Sequence, residues 1–248
     1  MPTESAPTAM LFSVLVFVVA PIVLLALRRR GAMGLPGTLG IFLAYLVIPG
    51  LLAWRGVISR YDPLPAPALL LLLAVTLLTV AILLSPVGAR LAAGLALGAV
   101  VAFQAFRIPV ELLLHRMYTD GTVPVQMTYT GRNFDVVTGV SGLVLGLWLL
   151  SGRSVPRGVI WGWNILGLAL LANIVSIAVL STPVPFRRFL ESPPHTLPST
   201  FPYIWLPSFL VQVALGSHLL VFRQLRRGAR ETAGPGTRSR PITVDGPA

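Results

Sequence analysis

Apolar residues run along this chain in long stretches that polar positions rarely interrupt. Most stretches hold about 15 to 22 residues, the length of a helix that crosses a bilayer, and they lack the alternation of a soluble strand or helix. Seven such stretches predict an all-α, polytopic transmembrane bundle. They cover residues 9–27, 38–54, 66–84, 91–118, 136–150, 159–180 and 205–222.

Composition supports a lipid environment for this bundle. Apolar residues make up 55% of the chain, charged residues only 11%, and the mean hydropathy is +0.82. Too few polar side chains are present to cover a water-exposed surface of this size. We therefore predict one transmembrane domain over residues 1–222. Residues 223–248 pass from an arginine cluster into Gly, Pro, Ser and Thr, which predicts a disordered cytoplasmic tail.

The arginines between the stretches predict how the bundle is oriented. Arginine is retained on the cytoplasmic side of short membrane loops. With the N-terminus outside and the C-terminus inside, ten arginines fall on the cytoplasmic side and six outside. The cytoplasmic set is Arg28, Arg29, Arg30, Arg90, Arg153, Arg157, Arg223, Arg226, Arg227 and Arg230, and the outer set is Arg55, Arg60, Arg116, Arg132, Arg187 and Arg188.

The residue types that the chain lacks exclude several kinds of chemistry. It has no Cys, which excludes disulfides, thiolate metal sites and cysteine nucleophiles. All 19 of its basic residues are Arg, so a lysine Schiff base of the retinal-protein kind and the lysine of a P-loop are both excluded. The membrane explains these arginines, so no nucleic-acid partner is expected. The sequence predicts no cofactor and no metal.

The second half of the fourth stretch carries a polar stripe. At 100° per residue, five polar side chains fall within an arc of about 80° on one helix face. A continuous helix would turn that face toward the bundle interior, close to the extracytoplasmic surface. The five residues are Gln104, Arg107, Glu111, His115 and Tyr118.

The loop that follows adds charged groups at the same end of the bundle. Asn133 is placed to cap the fifth stretch, and Asp135 falls in its first turn. Together with the stripe, these residues predict an external polar vestibule. A structural alternative is an Arg107–Glu111 ion pair, at positions i and i+4, that anchors the end of the helix. The added vestibule residues are Asp120, Arg132, Asn133 and Asp135.

The outer loop before the last stretch is a further feature of this end. It is long and rich in proline, and it carries His195, so it has the size to cover the vestibule. Small-residue pairs four positions apart permit close helix packing, within the chain or in a homo-oligomer. These pairs are Gly94 with Gly98, Gly142 with Gly146, and Gly158 with Gly162.

Part of the chain resembles a known group of membrane proteins. The runs FRIPVELLLHRMY and PVQMTYTGRNFD, within residues 106–135, resemble a segment of uncharacterised bacterial multi-pass membrane proteins. The resemblance implies a bacterial cell (inner) membrane location and no particular activity.

Three functions fit this pattern. The first is transport of a polar or anionic solute, or of a proton, through the vestibule. The second is a membrane enzyme in which Glu111 and His115 act as an acid–base pair or as metal ligands. The third is a non-catalytic assembly or sensory component in which the stripe holds the helices together. The missing nucleophile and metal set favour a non-enzymatic role.

Overall fold

A computed structural model describes residues 6–30 and 34–232, and these residues form helices joined by loops, without strands. Short 3-10 turns lie at Gln104–Phe106, Val125–Met127 and Leu197–Ser199. The helices are α1 (Ala6–Arg30), α2 (Leu35–Trp54), α3 (Pro67–Leu84), α4 (Pro86–Gly94), α5 (Leu97–Phe103), α6 (Arg107–Thr119), α7 (Asp135–Leu150), α8 (Arg157–Ser181) and α9 (Val211–Thr232).

Six segments of the described chain are helical, long and apolar enough to cross a membrane, so the chain is a multi-pass membrane protein. Helix α7 is apolar but shorter, with 16 residues. At 1.5 Å per residue it extends about 24 Å, less than the roughly 30 Å of a hydrocarbon core. The six spans are Ala6–Arg29, Leu35–Trp54, Pro67–Leu84, Leu97–Thr119, Arg157–Ser181 and Leu206–Gly228.

The fourth predicted stretch is not one continuous helix. The chain leaves helical geometry at Leu95, directly after Gly94, and starts again as α5. Carbonyl groups at such a break lose their helical partners. Here the side chain of Gln224 donates to the carbonyl oxygens of Ala92 and Leu95, at 3.1 and 2.7 Å. Helix α9 therefore supplies the hydrogen bonds that stabilise the break.

Glycines allow α5 and α7 to pack closely. A Cβ atom on Gly146 would lie 2.3 Å from the backbone nitrogen of Ala102, and one on Gly98 would lie 2.9 Å from the carbonyl oxygen of Gly146. Gly98, Gly142 and Gly146 of the predicted small-residue pairs thus contribute to packing within the chain. A Cβ on Gly158 or Gly162 would have no neighbour within 4 Å in the described chain.

Helix α9 packs against α3, α4, α5 and α8, so it lies centrally in the bundle. A π-helical turn at Leu206–Leu210, which contains Pro207, precedes it. Helix α9 continues through Thr232, past the point at residue 223 where the sequence predicts the start of a disordered tail. The rest of that predicted tail, 233–248, lies outside the described residues.

The segment between α8 and α9 covers one end of the bundle. The backbone N–H of His195 donates to the carbonyl oxygen of Ser181 at the end of α8. Ser59 donates to the carbonyl oxygen of Ser199, and the hydroxyls of Tyr61 and Ser199 lie 2.7 Å apart. These bonds join this loop to the loop between α2 and α3.

Candidate functional site

A buried ion pair forms the centre of the polar stripe. Arg107 opens α6 and Asp135 opens α7, and their side chains make a two-pronged salt bridge. The Arg107 Nε lies 2.7 Å from Asp135 Oδ2, while Nη2 contacts Oδ1. The two residues are only 2% and 6% exposed. The pair fixes the start of α6 against the start of α7.

His218 and Asn164 extend this pair across the bundle. The Nη1 of Arg107 lies 3.1 Å from the Nε2 of His218 on α9. The other ring nitrogen lies 2.8 Å from the Oδ1 of Asn164 on α8, whose amide nitrogen donates to the backbone carbonyl of His218. Gly167 makes room for the imidazole, since a Cβ there would lie 2.5 Å from its Cε1. Four helices are thus linked through buried polar groups.

Glu111 lies one turn farther along α6 and does not join this ion pair. It is 1% exposed. Its two carboxyl oxygens lie 2.6 and 2.8 Å from one atom, the Nδ2 of Asn133, which also donates to the carbonyl oxygen of Met127. An amide nitrogen has two hydrogens, so the carboxyl receives a single shared one. No arginine of the described residues forms a salt bridge with it.

Asn133 also orders the start of α7. Its Oδ1 accepts a hydrogen bond of 3.1 Å from the backbone N–H of Asp135. Asn133 therefore has the capping role that the sequence predicts, although Phe134 stands between it and the first helical residue. One side chain thus holds both the Glu111 carboxyl and the end of the helix that carries Asp135.

A cavity of about 110 Å³ lies beside Glu111 and Asp135. Apolar residues of α3, α6, α8 and α9 form most of its walls. Its polar groups come from five residues at the end of the bundle that the α8–α9 loop covers, and from Thr182 and Ser208. The five are Tyr61, Glu111, Asp135, His195 and Ser199.

His195 is the buried polar residue of this cavity that lacks partners. It is 4% exposed, and neither ring nitrogen has a hydrogen-bond partner among the described residues. Burial lowers the pKa of His195 from 6.5 to about 4, so the ring is neutral near neutral pH. A neutral imidazole offers one N–H donor and one acceptor nitrogen. Both are available to a molecule in the cavity.

Burial also affects a tyrosine at the rim of the cavity. Desolvation raises the pKa of Tyr61 above its usual value of 10, and the hydrogen bond with Ser199 opposes that rise. Its hydroxyl is therefore protonated near neutral pH and can serve as a hydrogen-bond donor. Tyr61 and Ser199 form a neutral polar patch beside the neutral His195 ring.

The other predicted vestibule residues lie elsewhere. Gln104 is buried and donates to the carbonyl oxygen of Ala214 at 3.2 Å. His115 is half-buried, stacks on Tyr129 with ring centroids 4.5 Å apart, and does not line the cavity. Tyr118 is 37% exposed beside His115. The structure therefore keeps Glu111 on the cavity lining and places its predicted partner His115 outside it.

The two remaining vestibule residues lie outside the cavity lining as well. Asp120 accepts a hydrogen bond of 3.1 Å from Thr8 of α1. Arg132 is exposed, with its guanidinium 5.0 Å from the centre of the Phe189 ring. Both residues therefore have contacts that connect loops and helix ends.

A comparison with protein-family models identifies the group to which this fold belongs. A family described as a domain of unknown function, DUF8737, matches residues 64–226. The chain belongs to the DUF8737 family. No curated protein and no solved structure shows significant similarity to the chain.

The DUF8737 match covers most of the site. It includes α3 through most of α9, and with them the Arg107–Asp135 pair, Glu111 and His195. Helices α1 and α2 and residue Tyr61 lie before it. The family region therefore contains both carboxyls and the imidazole that face the cavity.

Sequence reasoning missed three residues of this DUF8737 site and one pairing. The alternative prediction of an Arg107–Glu111 pair is wrong about the partner, which is Asp135. His218 lies within α9, and its partner Arg107 is 111 positions away along the chain, so no spacing within one helix could reveal this contact. Asn164 and His195 carried no spacing signal. The position of Asn164, a polar residue within an apolar helix, was the one feature of the sequence that could have indicated a role in the site.

Proposed function

We propose that this integral membrane protein binds an amphiphile taken from the membrane, and that the cavity beside Glu111 is its binding site. The observation that carries the proposal is the amphipathic lining: apolar walls from four helices, with polar groups gathered at one end. Ligand sites commonly combine mostly apolar walls with a few convergent polar groups. The apolar part of the ligand would contact the walls, and its polar part would contact Glu111 and His195.

Entry from the membrane is supported by the placement of α3 and α8. Both helices pack against α9, and both contribute residues to the cavity lining. Leu72 of α3, with Val175 and Val179 of α8, lines the cavity and is only half-buried. The gap between these two helices is therefore the route by which we expect a hydrocarbon chain to enter sideways.

The charges of the site favour a cationic or hydrogen-bond-donating head group. Arg107, the cation nearest the centre of the site, is engaged by Asp135 and His218. Glu111 has one shared amide hydrogen and no salt bridge among the described residues. An ammonium or a hydroxyl could bind this carboxyl directly, whereas no arginine of the described residues lines the cavity to hold an anion. This selects against the anionic solute that the sequence alone allowed.

His195 supports a ligand that carries a hydroxyl as well. Its two buried nitrogens have no partner in the described chain, and a buried polar group without a partner costs about 1–3 kcal/mol. A hydroxyl can donate to one ring nitrogen or accept from the other. Binding of such a ligand would therefore provide hydrogen-bond partners for the ring nitrogens.

A second candidate function is an enzyme acting on such a ligand. The observation that favours it is a carboxyl and a neutral imidazole on one cavity, which is an arrangement suited to general acid–base catalysis. The pair would be Glu111 with His195, in place of the Glu111–His115 pair that the sequence suggests. Binding without turnover would support a carrier or a lipid sensor instead.

We further propose that the cavity faces the extracytoplasmic side of a bacterial cell membrane. The end of the bundle opposite the cavity holds the arginine-rich loops, and arginine is retained on the cytoplasmic side. The resemblance of residues 106–135 to bacterial multi-pass proteins supports the bacterial location. Association through Gly158 and Gly162 stays a prediction for the oligomeric state.

The test is photochemical labelling of the purified protein in lipid nanodiscs. Three diazirine-bearing single-chain probes would be compared: one with an ammonium head group, one with a hydroxyl and one with a phosphate. We expect the ammonium and hydroxyl probes to label peptides of α3 and α8, and the phosphate probe to label them several-fold less. Glu111→Gln should reduce labelling by the ammonium probe about tenfold.

Two further variants make this test decisive. Asn173→Ala serves as the matched control, because Asn173 is exposed on α8 and bonds only to the backbone of Arg132. Leu72→Trp should fill the cavity mouth and reduce labelling by all three probes. Equal labelling of the wild type and Leu72→Trp, or a preference for the phosphate probe, would contradict the proposal. Chemical conversion of a bound probe would support the enzyme function over a carrier or a lipid sensor.

A further inference from the structure

A groove lies at the end of the bundle opposite the cavity beside Glu111. It has a volume of about 380 Å³ and is formed where α3 ends, where α8 begins and where α9 approaches its end. Apolar and aromatic side chains make its walls, and two arginines lie at its rim. The residues that matter here are Leu83, Trp161, Ile165, Phe222, Arg223 and Arg226.

One of the arginines is held in place by the end of α3. The Nη1 of Arg223 donates to the carbonyl oxygens of Leu83 and Ser85, the latter at 3.1 Å. Its Nε and Nη2 have no hydrogen-bond partner among the described residues. The guanidinium is therefore fixed in position, and its Nε and Nη2 groups remain available to donate to a further acceptor.

The second arginine adds a nearby positive charge. Arg226 follows Arg223 by three residues on α9, so the two lie on the same helix face, and Arg226 is exposed. Among the residues that the structure describes, no acidic side chain lines the groove. Two guanidinium groups without a carboxylate partner in this groove present a site for an anion.

The walls of the groove fit hydrocarbon. The rings of Trp161 and Phe222 pack with their centroids 4.9 Å apart. Ile165, one turn along α8 from Trp161, is 55% exposed. The arginines at the rim suit the head-group region of a bilayer leaflet, and the aromatic pair below them suits the interface. The exposed aliphatic residues that follow suit the acyl region.

We propose that this groove binds an anionic phospholipid. Its phosphate would lie against Arg223 and Arg226, and one acyl chain would run along Ile165 and the ring of Trp161. The groove combines two guanidinium groups that have no carboxylate partner among the described residues with an adjoining apolar surface. This combination favours a lipid over a free anion, which would make no contact with the apolar walls. This site does not depend on the function of the cavity near Glu111, which lies at the other end of the bundle.

The experiment measures lipid retention by native mass spectrometry. The purified full chain would be delipidated and offered phosphatidylglycerol or phosphatidylcholine in matched micelles. We expect the wild type to retain phosphatidylglycerol in preference to phosphatidylcholine, and Arg223→Gln/Arg226→Gln to lose about tenfold in apparent affinity for it. Inorganic phosphate at the same concentration should not displace the lipid.

The matched control removes two charges from the same end of the molecule but outside the groove. Arg90→Gln/Arg153→Gln does this, since Arg90 is exposed and Arg153 lies over Trp148, 4.4 Å from its ring centre. This control should retain phosphatidylglycerol as the wild type does. An equal loss in both double variants, displacement by phosphate, or no preference between the two lipids would overturn the proposal.

A third variant covers the case in which loss of Arg223 destabilises the end of α3. Ile165→Trp leaves both arginines in place and narrows the acyl part of the groove. It should weaken retention of phosphatidylglycerol while the protein keeps its thermal stability in detergent. Unchanged retention in Ile165→Trp would show that only the charges matter, which would reject the groove as a lipid site.

Discussion

At the scale of single residues, the Arg107–Asp135 pair specifies which helices pack together and adds little to the net free energy of unfolding. Desolvating two charges offsets much of their attraction, and buried pairs of this kind are often no more stabilising than apolar residues of the same volume. Breaking one is different, because the remaining charge is left buried. The contacts of Arg107 with both Asp135 and His218 therefore specify how α6, α7 and α9 are arranged.

Gly167 permits this arrangement, which gives the first prediction. A methyl group at this position would lie 2.5 Å from the Cε1 of His218 and 2.8 Å from Thr138. The imidazole would have to move away from Arg107 and Asn164. We expect Gly167→Ala to lower the free energy of unfolding by about 1–3 kcal/mol, measured by unfolding in mixed detergent micelles.

A glycine on the same helix supplies the control for this prediction. A Cβ on Gly162 would have no neighbour within 4 Å in the described chain. Gly162→Ala should be neutral, or should stabilise α8 by up to about 1 kcal/mol through helix propensity. Equal destabilisation by both substitutions would show that the loss of stability in Gly167→Ala does not come from the contact with His218.

The same residues show what can be read from a sequence. The spacing of Gln104, Arg107 and Glu111 predicts one polar face, and all three side chains are buried. Their partners could not be predicted, because Asp135 and His218 lie 28 and 111 positions away from Arg107 along the chain. Helical periodicity relates residues within one helix. It contains no information on which helices become neighbours or at what depth.

At the scale of elements, the break between α4 and α5 depends on a distant side chain. Leucine, alanine and glycine around residues 91–98 give a continuous apolar pattern, so the pattern alone predicts a single helix. The tertiary structure provides the alternative, because Gln224 bonds the freed carbonyl oxygens of Ala92 and Leu95. Local hydrophobicity cannot reveal a helix end that is satisfied by another helix.

Removing these hydrogen bonds gives the second prediction. Gln224→Leu keeps a side chain of similar size but leaves the carbonyl oxygens of Ala92 and Leu95 without this donor. We expect a loss of about 1–3 kcal/mol in the free energy of unfolding, together with faster amide hydrogen exchange at the start of α5. Unchanged exchange there would mean that other groups satisfy these carbonyls.

The α8–α9 loop makes stability depend on pH, which gives the third prediction. The pKa of His195 is about 6.5 when the chain is unfolded and about 4 when it is folded. Between these values the unfolded chain binds a proton that the folded chain does not. Stability should therefore fall as the pH drops from about 6.5 to about 4, by up to about 3 kcal/mol, and then level off.

The measurement compares unfolding of the wild type and His195→Gln across that pH range. Glu111, Asp135 and Tyr61 face the same cavity and are present in both proteins, so subtracting one stability curve from the other isolates the contribution of His195. The variant should lose less stability on acidification than the wild type does. Asn173→Ala, at an exposed and non-titrating residue of α8 away from the cavity, is the control and should keep the wild-type pH dependence.

At the scale of the whole molecule, the bundle has two chemically different ends. The end near the cavity carries Asp62, Asp120, Asp135 and Glu191 together with six arginines. The opposite end carries Arg90, Arg153, Arg157, Arg223, Arg226 and Arg227, with no acidic residue before Glu231. Both proposed lipid sites follow this division: the carboxyl-lined cavity belongs to the first end, and the arginine-rimmed groove to the second.

The absence of cysteine from the chain allows a direct test of orientation, which is the last prediction. Glu191 lies in the exposed part of the α8–α9 loop, and Gly152 is exposed between α7 and α8, at the arginine-rich end. Single-cysteine variants at these positions would be treated, in intact bacterial cells, with a maleimide that cannot cross membranes. Retention of arginine on the cytoplasmic side predicts immediate labelling of Glu191→Cys, and labelling of Gly152→Cys only after permeabilisation. The reverse pattern would place the carboxyl-lined cavity on the cytoplasmic side, and labelling of both without permeabilisation would be incompatible with the two loops lying on opposite sides.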